Sequence, residues 1–178
     1  MSDTVSDAEP ERIVWEGQFI TAKTRGKWEY VSRSRGISAA VILAVQDGAV
    51  LLVEQFRVPL QRHCLELPAG LIGDENTGED PCAAAGRELE EETGYRAARL
   101  EHCGEFYSSP GMVSESFHLI RAHDLEQTGD GGGVDGENII VHKVALDRLP
   151  EFIAAKRAQG VGMDVKLLLL LGSGILAN

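Results

Sequence analysis

The segment Glu79 to Gly94, EDPCAAAGRELEEETG, fixes both the ends and the faces of one helix. Asp80 is a good N-cap, Pro81 suits the first helical position, and Gly94 suits the residue that closes a helix. Alanines 83–85 favour the helix, and Gly86 opposes it by about 1 kcal/mol. The predicted helix runs from Pro81 to Thr93. At about 100° per residue, Glu92 lies roughly 40° to one side of Glu88 and Glu91 roughly 60° to the other. Those three carboxylates share a face. Glu90 points nearly the opposite way, toward solvent. Cys82, Ala85 and Leu89 form a separate apolar stripe that can dock on a sheet.

Most of the remaining chain reads as strands. RIVWEGQFITAKT and KWEYVSRS alternate apolar and polar positions. SAAVILAV and AVLLVEQF are apolar runs joined by Gln46-Asp47-Gly48, a strong hairpin signal. GEFYSS, SFHLIRAHDL and NIIVHKVAL continue the pattern. A second helix is expected after Asp147, with Leu149, Phe152 and Ile153 on one face and Gly160 at its end. A third follows Asp164, and its run VKLLLLLGSGIL reads as a buried terminal helix. The segment Gln127 to Asn138, QTGDGGGVDGEN, reads as a flexible surface loop, of the kind that serves as a lid or binding loop when long. Strands interspersed with helices give a mixed α/β or α+β class with a mixed sheet. The expected organisation is a disordered acidic tail over 1–11, N-terminal β strands over 12–36 and one domain over 37–178.

Composition limits the partners. The net charge is −11 over 178 residues, which disfavours nucleic acid and anionic membranes, since both want a basic surface. A small anionic substrate remains compatible, because a metal ion can mediate between negative groups. The N-terminus, MSDTVSDAEPER, has neither a basic start nor an apolar stretch, so no signal peptide is expected. Three cysteines, Cys64, Cys82 and Cys103, show no zinc spacing and read as reduced, mostly buried thiols of a cytoplasmic protein.

The acidic helix face is the chemical signal. Charge runs usually face water. A stable surface helix, however, normally sets Glu four residues before Lys or Arg, whereas Glu88 meets Glu92 at that spacing. Arg87 and Glu91 form the only opposite pair, in the less favourable order. A hard divalent cation such as Mg²⁺ takes oxygen ligands and reverses the sign of the cluster.

This segment resembles the Nudix box, Gly-x5-Glu-x7-Arg-Glu-U-x-Glu-Glu-x-Gly-U, where U is a bulky apolar residue. Gly73, Glu79, Arg87, Glu88, Leu89, Glu91, Glu92, Gly94 and Tyr95 fill every fixed position. The run Leu67-Pro68-Ala69-Gly70 is similar to that of the ADP-ribose pyrophosphatase branch. The box glycine is therefore either Gly73, or Gly70 with an insertion in GDENT; the insertion is favoured. VEQFRVP looks like the strand preceding the box in that branch, and Pro110 of YSSPG, sixteen residues after Gly94, is similar to its marker. KWEYVSR resembles the N-terminal strand whose tryptophan stacks on adenine.

The resemblance implies an α/β/α sandwich and hydrolysis of the pyrophosphate bond of ADP-ribose, giving AMP and ribose 5-phosphate. It implies that Glu88, Glu91 and Glu92, with the Ala69 carbonyl, hold two or three Mg²⁺ or Mn²⁺ ions. Arg87 would orient a neighbouring glutamate, Glu79 or Glu91. Trp28, Arg33, Arg57 and Pro110 become substrate-binding candidates. The general base would come from a loop outside the box, with Glu137 the first candidate and Glu115 the second. A homodimer is implied, in which Trp28 can serve the neighbouring site. GDP-mannose or ADP-glucose is the alternative substrate, and a non-catalytic ADP-ribose sensor is disfavoured because every box glutamate is present.

Overall fold

A computed structural model describes residues 9–34, 37–73, 78–134 and 136–176. Strands β1 (Arg12–Glu16), β2 (Ile20–Arg25) and β3 (Trp28–Arg33) form an antiparallel sheet of their own. Residues 1–8 of the expected tail lie outside the described residues. Glu11 belongs to structure rather than tail: it accepts a hydrogen bond from Tyr30 and pairs with Lys23 at 2.9 Å. This small sheet is stitched to the rest at Val31, which bridges to Val113, and at Ser32, whose hydroxyl lies 2.7 Å from that of Ser114.

The main sheet is mixed and has eight strands. They are β4 (Ser38–Gln46), β5 (Ala49–Arg57), β6 (Arg62–Glu66), β7 (Ala69–Ile72), β8 (Tyr95–Tyr107), β9 (Ser116–Gln127), β10 (Ile140–Ala145) and β11 (Gly162–Met163). Its principal order is β11-β6-β5-β4-β9-β8, with β10 beside β5 and β7 beside β4. The hairpin predicted at Asp47-Gly48 is present. Both residues have left-handed φ, 52° and 72°, as a tight two-residue turn between twisted strands requires.

Period-two patterning divides the core into two layers. Ala40, Ile42, Ala44 and Ile120 face helix α1 (Pro81–Thr93), where they bury Ala84, Ala85 and Leu89. Val41, Leu52 and Leu119 face the other way, against α2 (Leu149–Ala158) and the chain that follows it. The fold is thus an α/β/α sandwich. Helix α3 (Leu168–Leu176) is only partly the buried terminal helix expected: Leu170 and Leu171 pack on the core, but Leu168 and Leu169 are half-exposed. A helix lying on one face of a sheet can bury only one side. The three cysteines are free; Cys64 is buried, Cys82 is partly so, and Cys103 on the edge strand β8 is exposed, contrary to the expectation of burial.

The glycine-rich segment is not a free loop. Gly132 N donates to Glu92 O at 2.9 Å and Gly133 N to Glu91 O at 3.0 Å, filling carbonyls that the end of α1 leaves open. Thr128 N and Gly129 N both donate to Gly94 O. At Gly131, with φ of 69°, an added Cβ would strike the backbone of Glu92, Thr93 and Gly94. Close backbone approach is what Gly131 supplies there.

Candidate active site

Helix α1 is held at both ends as the sequence predicts. Asp80 accepts from Cys82 N at 2.9 Å and Ala83 N at 3.1 Å, and Gly94 closes the helix with φ of 72°. The helix thereby aims Glu88 and Glu92 into a cavity of about 470 Å³ at the end of the sandwich. Ala69 and Gly70 of β7 form its floor there. Gly70 fits because a Cβ would occupy the place of the Glu88 carboxylate. Gly73 also has a left-handed φ, 84°, and its N–H donates to Glu79 at 3.3 Å. Both candidate box glycines are therefore glycine for steric reasons, while residues 74–77 of the suggested insertion lie outside the described residues.

Glu92 is 5% exposed and accepts a hydrogen bond from Ala69 N at 3.0 Å. Burial, reinforced by the charges of Glu88 and Glu137, pushes its carboxyl up to about 8. Arg87 Nη1 donates to Glu88 at 2.8 Å and to Glu91 at 3.4 Å, and its Nε lies 3.7 Å from Glu79. Arg87 thus lies closest to Glu88, whereas the expectation named Glu79 or Glu91 as its partner. Glu91, expected as a third ligand, is not among the residues lining the cavity, and its side chain is 38% exposed. Glu90 is not merely solvated: Arg96 grips it in two-pronged fashion at 2.8 and 3.2 Å, and the Thr128 hydroxyl donates to it at 3.1 Å.

The cavity also gathers Arg33, Arg57, Glu115 and Glu137. Arg57 donates to Glu66 through Nε at 2.6 Å and Nη2 at 2.8 Å. Arg33 forms an ion pair with Glu115, so that carboxylate is already engaged. Glu137 enters from the segment docked on α1 and accepts from Val134 N at 3.0 Å. Trp28 and Pro110 line a different hollow of about 480 Å³, beside the three-stranded sheet, and Trp28 is 53% exposed. Glu66, Gln55, Ser108, Phe117 and Lys166 also line the cavity and were not among the site residues named from the sequence. Glu66, Gln55 and Ser108 carried a signal, their places in LELPAG, VEQFRVP and YSSPG.

Among the described residues, no group of three or more His, Cys, Asp or Glu side chains is placed to enclose a metal ion. The donor chemistry nevertheless fits a hard cation. Glu88 and Glu92 offer only oxygen, and burial, reinforced by the charges of Glu88 and Glu137, leaves the Glu92 carboxylate short of the stabilisation a cation supplies.

Residues 34–160 match the NUDIX domain family. The chain belongs to this family. The GDP-mannose pyrophosphatase of Cronobacter sakazakii is 37% identical over 180 residues, covering 90% of each chain. The ADP-ribose pyrophosphatase of Bacillus subtilis is 40% identical over 111 residues, covering 61% of this chain and 58% of that enzyme. The matched stretch thus spans less than two thirds of that relative's length. A crystal structure described as an ADP compounds hydrolase shares the fold, with a TM-score of 0.67 and 21% identity over 94% of this chain and 92% of the other. The Nudix box coincides with α1 and its approach, and with two of the three shared-face glutamates turned into the cavity.

Proposed function

We propose that this Nudix protein hydrolyses the pyrophosphate bond of ADP-ribose to AMP and ribose 5-phosphate, using Mg²⁺ or Mn²⁺. The observation that carries the reading is one cavity in which Glu88 and Glu92 of α1 face Arg33 and Arg57. Glu88 and Glu92, with Glu91 and the Ala69 carbonyl, would hold two or three ions. Bound metal would neutralise phosphate oxygens and make water more acidic. Arg33 and Arg57 hold the diphosphate, each steadied by its own carboxylate. Glu137 accepts the proton as water oxygen bonds to phosphorus and the bridging P–O bond breaks. Glu137 is preferred to Glu115 because Glu115 is occupied by Arg33.

GDP-mannose is the second reading, favoured by the Cronobacter relative that matches nearly the whole chain. The N-terminal sheet exposes Ile13, Val14, Trp15 and Phe19, which supports a homodimer. Free cysteines suit a cytoplasmic setting. The test is product analysis with ADP-ribose, GDP-mannose and ADP-glucose in Mg²⁺ or Mn²⁺. AMP release from ADP-ribose is expected, with a loss of at least ~10²-fold for Glu92→Gln, the scale of removing one key electrostatic group. Glu137→Gln should be impaired more in kcat than Glu115→Gln. Wild-type rates in Glu92→Gln would sink the assignment.

A further inference from the structure

Lys166 stands in the wall of the same cavity and has no task in the reading above. It comes from the layer opposite α1, in the short 3-10 turn Val165–Leu167 that leads into α3. Its position is fixed from two directions. Strand β11 pairs in parallel with β6, and Asp164 N donates to Leu65 O at 3.0 Å. Asp164 then caps the turn through Lys166 N at 2.8 Å, while its second oxygen accepts from Lys166 Nζ at 2.7 Å. The ammonium also lies 5.6 Å from the centre of the Phe117 ring.

An ammonium has three N–H donors, and Asp164 takes one. The aromatic face attracts the charge without saturating its donors. Arg33 and Arg57 show the same construction, each tied to a carboxylate with N–H groups left over. A tethered cation in a cavity wall is ordered in advance for an anion, so little rotamer freedom is lost on binding.

We propose that Lys166 is a further substrate-binding residue, donating to a non-bridging oxygen of the diphosphate on the side turned away from α1, with Asp164 as its positioning residue. The proposal rests on the diphosphate-hydrolase reading. The test compares wild type with Lys166→Met, Lys166→Arg and Asp164→Asn; asparagine keeps the cap but removes the charge. Lys166→Met should raise KM for ADP-ribose about tenfold, the loss of one charged hydrogen bond, and leave kcat within about threefold. Calorimetry with inorganic pyrophosphate should show a similar fall in affinity, and Lys166→Arg should recover most of both. Asp164→Asn should raise KM with little change in Tm. Unchanged KM and pyrophosphate affinity in Lys166→Met, or an arginine variant no better than methionine, would overturn the proposal. If wild type spares ADP-ribose, the substrate reading falls by itself, and the pyrophosphate titration still decides the role of Lys166.

Discussion

Glu92 is a carboxyl buried beside two others, and its elevated pKa has a measurable consequence. Burial and the charges of Glu88 and Glu137 favour its neutral form, against the opposing pull of Ala69 N–H and Arg57. Between the ordinary carboxylate value of 4.5 and about 8, the folded chain holds a proton that the unfolded chain has lost. Linkage then requires stability to fall as pH rises across that window. Thermal unfolding in chelator should show Tm declining from pH 4.5 to pH 8, and Glu92→Gln should flatten the slope. Added Mg²⁺ should oppose the decline, since a bound cation favours the charged carboxylate. A slope in Glu92→Gln equal to that of wild type would assign the effect to other groups.

At the scale of elements, the informative unit is α1 with the glycine-rich segment seated on its C-terminal end. Alanine at Gly131 is expected to destabilise the protein by about 1–3 kcal/mol, from left-handed φ together with backbone collision. It should also reduce kcat, because Glu137 travels with that segment. Gly129→Ala is the matched control, since nothing lies within 4 Å of an added Cβ there. Melting curves and turnover of the two variants check the pair; equal behaviour would count against the docking. Helix α1 was legible in the sequence to the residue, because Asp80, Pro81 and Gly94 act locally. The Asp47-Gly48 hairpin was legible for the same reason. The seat of the glycine-rich segment was not, because its partners are the carbonyls of Glu91 and Glu92, about forty residues away. Of the site, Glu88 and Glu92 followed from helical spacing. Arg33, Arg57 and Glu137 came through resemblance to known motifs. Lys166 was invisible, since strand pairing between β11 and β6 brings it to the cavity.

For the whole molecule, the outstanding surface feature is the three-stranded sheet. Val14 and Phe19 are 62% and 65% exposed, in company with Ile13 and Trp15. Light scattering should return twice the chain mass of 19.3 kDa, and a chain carrying Val14→Glu and Phe19→Glu should fall to the single mass. A single-chain mass for wild type would refute the dimer.

The cavity draws its walls from both helical layers, Glu88 and Glu92 on one side of the sheet and Lys166 on the other. An occupant touching both would act as a clasp across the open end of the sandwich. Catalytic turnover would then alternately fasten and release the two halves, so resistance to unravelling would depend on how continuously the enzyme is fed.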